Sequence, residues 1–307
     1  MSDRSRDICR LTVQGRAWLL LLAFACGWLD PPLQAGAASP LTLRVAPEEV
    51  KEGGVTVLSI ESPTPFRALR IHMGSREIHP PPSDGRSHIR LLVGIDLEQS
   101  PGPVLVRAEA VDGSGRPLTG QRTVQILDAH FPVQRLTVPR PFVELDPATL
   151  ERVHHEKATL DRLWEVVTPA QLWNGPFRAP LVEAGLPYGF GVRRIINGEA
   201  RAPHTGTDFA AATGTPVHAA NGAVVALVAD HFFAGTSVFL DHGLGLYTMY
   251  FHLQESLVQP GQRVEPGQII ARVGSTGRAT GPHLHWGARL DGARIDPRAL
   301  LRISPLD

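Results

Sequence analysis

The feature of this chain that most constrains its fold is a repeated pattern of short apolar segments, each followed by a turn sequence rich in Gly, Pro, Asn or Asp. Such segments are typical of β-strands, whose side chains alternate between two faces and which Gly and Pro bring to an end. Up to residue 128 they fall at 41–46, 54–61, 67–73, 88–95, 103–111 and 122–127. Their close spacing predicts a small antiparallel β-sandwich at residues 41–128.

The same pattern returns from about residue 180. The later segments fall at 224–229, 237–242, 246–252, 268–273 and 284–290. No helical pattern separates them, which favours an antiparallel sheet over a parallel sheet with crossover helices. The 30 Gly and 27 Pro residues suit the many turns that this arrangement needs. We therefore predict a second β domain at residues 181–307.

One clear helix is predicted between the two β regions. Asp146 followed by Pro147 is a start signal, because Asp caps free backbone N–H groups and Pro fits the first helical position. Thr168-Pro169 ends the pattern, so we place the helix at 147–167, inside a linker at 129–180. The apolar stripe of this helix consists of Leu150, Val153, Leu160, Leu163, Trp164 and Val167. The predicted fold class is mainly β: an N-terminal antiparallel sandwich, a connecting helix and a C-terminal antiparallel sheet.

The N-terminus has the composition of an export signal. Arg residues precede an apolar run at 17–25, and Ala35-Gly36-Ala37 offers a small-residue cleavage site, which predicts a signal peptide at 1–37. Two alternatives stay open: an uncleaved anchor that would also need residues 26–29, and lipid modification of Cys26. We expect a periplasmic protein, or one anchored in the inner membrane facing the periplasm if the leader is retained or acylated, or a secreted one.

The cysteine and charge counts limit the metal ligands and the binding partners that are expected of this chain. Both cysteines, Cys9 and Cys26, lie in the leader, so the mature chain would carry no thiol and any metal would be bound by nitrogen and oxygen. The chain has 30 basic and 30 acidic residues and no strongly basic stretch. A nucleic-acid partner is therefore not expected, because such binding needs a basic surface.

Histidines are concentrated in the second β region, and two of them form the triplet His283-Leu284-His285. Successive side chains of a strand alternate faces, so His283 and His285 are expected on one face, roughly 6 to 7 Å apart, with Leu284 and Trp286 in the core behind them. One imidazole can then bind a metal while the other stands over an open coordination position. His252 ends the predicted strand at 246–252 and supplies a further imidazole.

His204 and Asp208 offer the remaining ligands. They lie four residues apart with Gly206 between them, and Gly favours a turn or bulge, so we expect a loop that curls around the ion. A catalytic zinc ion needs three protein ligands and one open position for water. Together with the histidine triplet, these residues predict a metal-dependent hydrolase.

Six short stretches between residues 185 and 297 resemble the lysostaphin/LytM-type zinc metallopeptidases (the β-lytic metallopeptidase family), which cut peptide bonds of bacterial peptidoglycan. The sandwich and helix that precede them look like the N-terminal region of Gram-negative members. The stretches are His204-Thr-Gly-Thr-Asp208-Phe-Ala, Gly214-Thr-Pro-Val217, Asn221-Gly222, Asp241-His242-Gly243, Tyr250-Phe-His252-Leu253 and Gly281-Pro-His283-Leu-His285-Trp286.

The resemblance implies a role for each site residue. His204, Asp208 and His285 fall on the family's ligands to Zn²⁺, while His252 and His283 fall on its catalytic histidines. It implies a zinc endopeptidase that hydrolyses the peptide crosslinks or stem peptides of peptidoglycan. Two alternatives are a non-catalytic activator of cell-wall amidases, which should lack one or more ligands, and an exported protease that acts on proteins.

Two arginines, Arg193 and Arg194, precede the first ligand. They could meet a carboxylate-bearing peptide stem, but solvated basic side chains are the default interpretation of such a pair. We therefore leave both residues out of the predicted site.

Overall fold

A computed structural model describes residues 39–137, 145–182 and 187–303, with the side chains of residues 39, 40 and 136 left out. The predicted signal peptide at 1–37 lies outside the described residues. Within the described ranges, no helix has both the length and the apolar character that crossing a membrane requires.

The N-terminal region is built from short strands in two sheets. Its strands are β1 (Ser39–Pro40), β2 (Thr42–Ala46), β3 (Glu49–Lys51), β4 (Val55–Glu61), β5 (Phe66–Met73), β6 (Arg76–Ile78), β7 (His88–Gly94), β8 (Gly102–Asp112) and β9 (Pro117–Leu127). One sheet has the order β1-β9-β8-β5-β6 with β3 beside β9, and the other has the order β2-β4-β7. The antiparallel prediction holds except for β1 and β3, which pair with β9 in parallel.

The two sheets enclose an apolar core because inward and outward residues alternate along each strand. In β4, for example, Leu58 and Ile60 are fully buried while their neighbours are only partly covered. Ile71, Leu118 and Ile126 from the facing sheet are buried to the same degree. The alternation that predicted these strands therefore also forms their core.

The predicted linker contains the helix and also a strand. Helix α1 (Pro147–Trp164) begins at the Asp146 cap, whose carboxylate accepts from two backbone N–H groups of the first turn. It ends three residues earlier than the predicted 147–167, because the chain beyond it bonds to the neighbouring sheet: the Val166 carbonyl accepts from the Tyr247 hydroxyl. Strand β10 (Val133–Leu136) also lies in the linker, and it pairs in parallel with a strand about 60 residues further along.

The C-terminal region is dominated by one large sheet. The strands of the C-terminal region are β11 (Arg193–Ile196), β12 (Glu199–Arg201), β13 (Gly206–Ala210), β14 (Pro216–His218), β15 (Ala223–His231), β16 (Gly235–Asp241), β17 (Leu246–Ser256), β18 (Arg263–Val264), β19 (Ile269–Val273), β20 (His283–Leu290) and β21 (Ala293–Ile295), followed by the short helix α2 (Pro297–Leu300). Strands β11 and β12 form a separate sheet with β10. The large sheet has the order β13-β20-β17-β16-β15-β18, with β19 beside β17, β14 beside β19 and β21 beside β20. Its described pairings are antiparallel, as predicted.

The two β regions contact each other directly. Asp96 binds Arg294 with an oxygen–nitrogen distance of 2.6 Å, and His79 lies 2.7 Å from Asp291. Leu92 of β7 belongs to the apolar core of the C-terminal region. The N-terminal region thus supports the strand β20 and its extension β21, the same strand on which two predicted site histidines lie.

Candidate metal centre

Three adjacent strands position the predicted site residues. The antiparallel register of β13 with β20 sets Asp208 opposite His285 and Ala210 opposite His283. On the other side of β20, Phe251 of β17 lies opposite His285. Main-chain hydrogen bonds therefore fix the positions of Asp208 and of the two histidines along their strands, independently of any side-chain contact.

Strand β20 presents both histidines of the triplet on one face. Leu284 and Trp286 are fully buried in the core, whereas His283 is partly exposed and His285 lines the same groove as His283. This is the alternation expected of a strand. The Phe251 ring stacks parallel to the His285 imidazole, at a centroid distance of 5.2 Å and an interplanar angle of 2°, and so restricts its rotation.

Three donor atoms from His204, Asp208 and His285 converge on one point. The distance from His285 Nδ1 to Asp208 Oδ1 is 3.0 Å, from His204 Nε2 to His285 Nδ1 is 3.0 Å, and from His204 Nε2 to Asp208 Oδ1 is 3.3 Å. Ligands of a tetrahedral ion at about 2.0 Å lie about 3.3 Å from one another, so this triangle has the size of one face of such a site. The residues present therefore fit a divalent metal ion.

Backbone contacts hold His204 in the required orientation. Its Nδ1–H donates to the carbonyl of Gly189 at 2.8 Å, which leaves the Nε2 lone pair facing Asp208 and His285. Gly189 has a left-handed φ of 95°, and a Cβ at this position would lie 2.9 Å from His204 Nδ1. Hydrogen bonding of the distal ring nitrogen to a carbonyl is the usual support of a metal-binding imidazole.

Gly206 has a different role from the one expected from the sequence. Residues 206–210 form strand β13 rather than a loop around an ion, so Asp208 is held by the sheet. A Cβ at Gly206 would lie 2.4 Å from His285 Nε2 and 2.6 Å from the Trp286 carbonyl oxygen. The residue must be glycine because the imidazole of His285 packs against the backbone of the neighbouring strand.

His252 and His283 lie beside the triangle, with 4.6 Å between their ring centroids. Each Nδ1–H donates to a backbone carbonyl, that of Thr276 at 2.9 Å for His252 and that of Gly281 at 2.8 Å for His283. Their Nε2 atoms have no hydrogen bond among the described residues, and that of His283 lies 4.0 Å from Asp208 Oδ1. Both histidines are therefore arranged as proton acceptors next to the candidate metal position.

His252 does not end its strand, as the sequence pattern suggested. Strand β17 continues to Ser256, and His252 lies within it at a left-handed φ of 61°, where the register with β16 shifts. Its backbone N–H donates to Ala234 outside the regular ladder. Such irregularities redirect a side chain, and here the imidazole is directed into the groove.

The surroundings set the charge state of the site. Burial alone would raise the pKa of the Asp208 carboxyl, but His204 and His285 beside it hold that pKa well below its usual range. Burial lowers the pKa of His252 to about 4 and also lowers the pKa of His285. At neutral pH the site therefore combines the Asp208 carboxylate with neutral imidazoles at His252 and His285, and metal binding requires deprotonated ligands.

The site opens into a groove of about 480 Å³. It is lined by the loop that leads from β19 to β20, including Arg278, and by Tyr188 and Arg194. Asp208 is the one acidic residue among the groove-lining residues that the structure describes. An elongated ligand can therefore reach the three donor atoms from solvent.

Other histidines of this region do not reach the site. The His242 imidazole is fully buried, with Nδ1 2.8 Å from the Gly222 carbonyl oxygen and Nε2 2.8 Å from the Thr248 hydroxyl. His231 bonds to the Ser237 hydroxyl at 2.7 Å. Both have partners within the sheet, which accounts for them as structural residues.

Two imidazoles and a carboxylate converge in this site, and two further imidazoles lie beside them. This arrangement is typical of the active site of a metal-dependent hydrolase. Comparison with known proteins agrees. The model of peptidase family M23 matches residues 202–297, which include every predicted site residue. This part of the chain is a peptidase family M23 domain.

Named relatives share that domain. The chain is 40% identical over 125 residues to the peptidoglycan DD-endopeptidase ShyC of Vibrio cholerae, and the aligned residues cover 40% of this chain and 29% of ShyC. It is 49% identical over 95 residues to ShyA of the same organism, which is 31% of this chain and 22% of ShyA. The chain thus spans less than a third of the length of these curated relatives.

A solved structure resembles more of the chain. A crystal structure from Pseudomonas aeruginosa, described as an M23 peptidase, superposes with a TM-score of 0.58 at 29% identity, covering 81% of this chain and 94% of the other. The similarity therefore extends beyond the matched domain into the N-terminal β region.

Three features of the site were missed by sequence reasoning. Gly189 and Gly206 are required by close approaches that bring together distant parts of the chain, and no local pattern predicts these approaches. Phe251 was part of a quoted stretch but was given no role, although it stacks on His285. Arg278 lies in a loop that carries no recognisable motif.

Proposed function

We propose that the protein is a zinc-dependent endopeptidase that hydrolyses peptide crosslinks or stem peptides of bacterial peptidoglycan. The observation that carries this proposal is the complete donor triangle of His204, Asp208 and His285 with His252 and His283 beside it. The names of the relatives, which are peptidoglycan DD-endopeptidases, supply the substrate class.

Zinc is the metal that best suits this donor set and reaction. Imidazole and carboxylate ligands are common to zinc and to non-haem iron, but peptide hydrolysis involves no change of redox state and Zn²⁺ undergoes none. Bound by His204, Asp208 and His285, a zinc ion would supply Lewis acidity toward a peptide carbonyl and lower the pKa of water. Cys9 and Cys26 lie in the leader, so nitrogen and oxygen ligands are also the available choice.

The two remaining histidines would move protons. With Nδ1–H committed to a backbone carbonyl, the Nε2 atom of each neutral ring can accept a proton from water and later donate it to the leaving amine. Their backbone hydrogen bonds also fix the ring orientations, so little reorganisation is needed during the reaction. General acid–base catalysis of this kind contributes about 10²- to 10⁴-fold in rate.

The compartment follows from the substrate. Peptidoglycan lies outside the cytoplasmic membrane, and the leader at 1–37 has the composition of an export signal. We therefore propose a periplasmic location, with inner-membrane attachment if the leader is retained or acylated. A non-catalytic activator of amidases is disfavoured, because all three metal ligands are present and in position.

Digestion of defined muropeptides tests the proposal. Zinc-loaded protein should release the separated stem peptides, identified by mass. His283→Ala should retain the metal and lose most turnover, because the ring donates no ligand atom to the triangle. His155→Ala, an exposed histidine on α1, is the matched control and should leave hydrolysis unchanged. Cleavage of an unfolded protein substrate with intact muropeptides would instead indicate an exported protease.

A further inference from the structure

Two arginines face the groove without an acidic partner. Arg278 and Arg194 both line it, and in the described part of the chain no carboxylate lies within ion-pair distance of either. Their neighbours differ in this respect: Arg193 lies 3.7 Å from Glu52, and Arg201 lies 2.8 Å from Glu199. The two groove arginines are therefore available to a ligand.

Each arginine is held in place by contacts that do not neutralise it. The Arg278 guanidinium stacks over the Phe233 ring at 4.3 Å, which orients it and leaves its N–H groups free. Arg194 lies on β11 and its Nε is buried with no hydrogen-bond partner among the described residues. Because this nitrogen has no acidic partner, the positive charge of Arg194, which lines the groove, remains available to a ligand there.

The electrostatics of the groove favour an anion. Burial, together with the positive charges of Arg194 and Arg201, lowers the pKa of Arg278, so these cations repel one another. Asp208 is the one acid among the described lining residues, and its carboxylate is committed to the histidines. A divalent ion in the triangle would add further positive charge next to the two arginines. A groove with this excess of positive charge attracts negatively charged ligands.

We propose that Arg278 and Arg194 bind a free carboxylate of the peptide substrate, and that this contact selects acidic peptides for cleavage. The inference rests on the proposed peptidase function and deepens it. Guanidinium groups match a carboxylate through paired N–H donors, a geometry that a neutral carboxamide reproduces poorly. Stem peptides of peptidoglycan carry such free carboxylates, so the two arginines would distinguish these peptides from ones that carry carboxamides in the same places.

The test uses stem-peptide dimers and their cleavage products in two forms, with free carboxylates or with carboxamides in their place. Equilibrium binding of the two product peptides is measured on the metal-loaded full chain, and KM and kcat are measured with the two dimers. Product binding requires no turnover, so it decides the inference even if hydrolysis fails. The variants are Arg278→Gln, Arg194→Gln and Arg278→Lys, with the exposed Arg263→Gln as a charge-matched control.

Wild-type protein should bind the acid product about tenfold more tightly than the amide product, as expected for one charge-assisted contact. Arg278→Gln should remove that preference by weakening acid binding alone, and it should raise KM for the acid dimer with little change in kcat. Arg278→Lys should restore part of the preference, because the charge remains but the paired donors are lost. Arg194→Gln should act like Arg278→Gln, and the control should act like wild type.

Several outcomes would overturn the inference. These are equal binding of the acid and amide products by wild type, undetectable binding of both, or an equal loss on both peptides in Arg278→Gln. If Arg194→Gln does not fold, the result for Arg278→Gln decides. Failure of the proposed function looks different: metal-loaded protein would hydrolyse neither dimer while still preferring the acid product.

Discussion

The N-terminal β region and the C-terminal sheet follow the same rules of strand alternation but bury different groups. Between residues 39 and 128 the buried polar residues are Glu52, Thr56 and Asp112. From residue 187 onward the described chain buries a larger set, consisting of Thr207, Asn221, His231, Ser237, Asp241, His242, Thr248, His252 and His285. The polar interior is thus concentrated in the region that carries the candidate site.

Backbone strain is distributed in the same way. The described non-glycine residues with left-handed φ are His130, Asn197, Leu244, His252 and Asp291, and none of them lies between 39 and 128. His252 is the one among them whose side chain lines the groove. Such conformations persist where surrounding structure imposes them, and they are common at functional sites. The described N-terminal region therefore has no left-handed non-glycine residue, whereas the C-terminal region has one in the candidate site.

The largest effect should come from Gly206→Ala. The added Cβ would meet both the His285 ring and the Trp286 carbonyl oxygen, and neither can move without disturbing the sheet. We expect metal affinity to fall about 100-fold, a loss at the upper end of that seen for residues that support metal ligands. Isothermal titration with zinc measures it. Gly113→Ala in the N-terminal region, where a Cβ would meet nothing within 4 Å, is the control.

Two cavity-forming substitutions, one in each region, should differ in their effect on zinc binding. Leu58→Ala in the N-terminal core and Leu284→Ala behind the site histidines both truncate fully buried residues, so each should lower the free energy of unfolding by about 2–5 kcal/mol. Because Leu284 lies between His283 and His285, only its truncation should also weaken zinc binding. Denaturant unfolding and zinc titration check the two parts. Equal zinc affinities in both variants would show that the core behind β20 does not position the ligands.

A smaller effect is expected from pH, through His242. Burial lowers its pKa from 6.5 to about 4, so between these values the unfolded chain binds a proton that the folded chain excludes. The free energy of unfolding should therefore fall as pH decreases through this window, by about 1.4 kcal/mol per pH unit from this residue. His242→Gln should have a shallower slope in pH-dependent unfolding. A slope identical to that of wild type would contradict the assignment.

Local patterns predicted much of this structure, and long-range contacts account for the rest. The alternation in 283–290 placed His283 and His285 on one face with Leu284 in the core, because strand periodicity is a local property. Gly206 was misread as a turn residue, because its reason is the packing of an imidazole from a strand about 80 residues away. Chain separation is also why the parallel pairing of β10 with β11 was not predicted.

The same distinction applies within the site. His204 and Asp208 were identified by type and spacing, but the contact of His204 with Gly189 and the left-handed backbone of His252 depend on the folded sheet. The end of α1 at Trp164 likewise depends on the neighbouring sheet rather than on the sequence of the helix.

Metal content tests the central claim most directly, namely that His204, Asp208 and His285 bind a single ion. After zinc loading and dialysis, elemental analysis of wild type and of His283→Ala should return about one ion per chain, and His285→Ala should return essentially none. A metal-free wild-type protein that cannot be reconstituted, or His285→Ala that retains a full equivalent, would contradict the account.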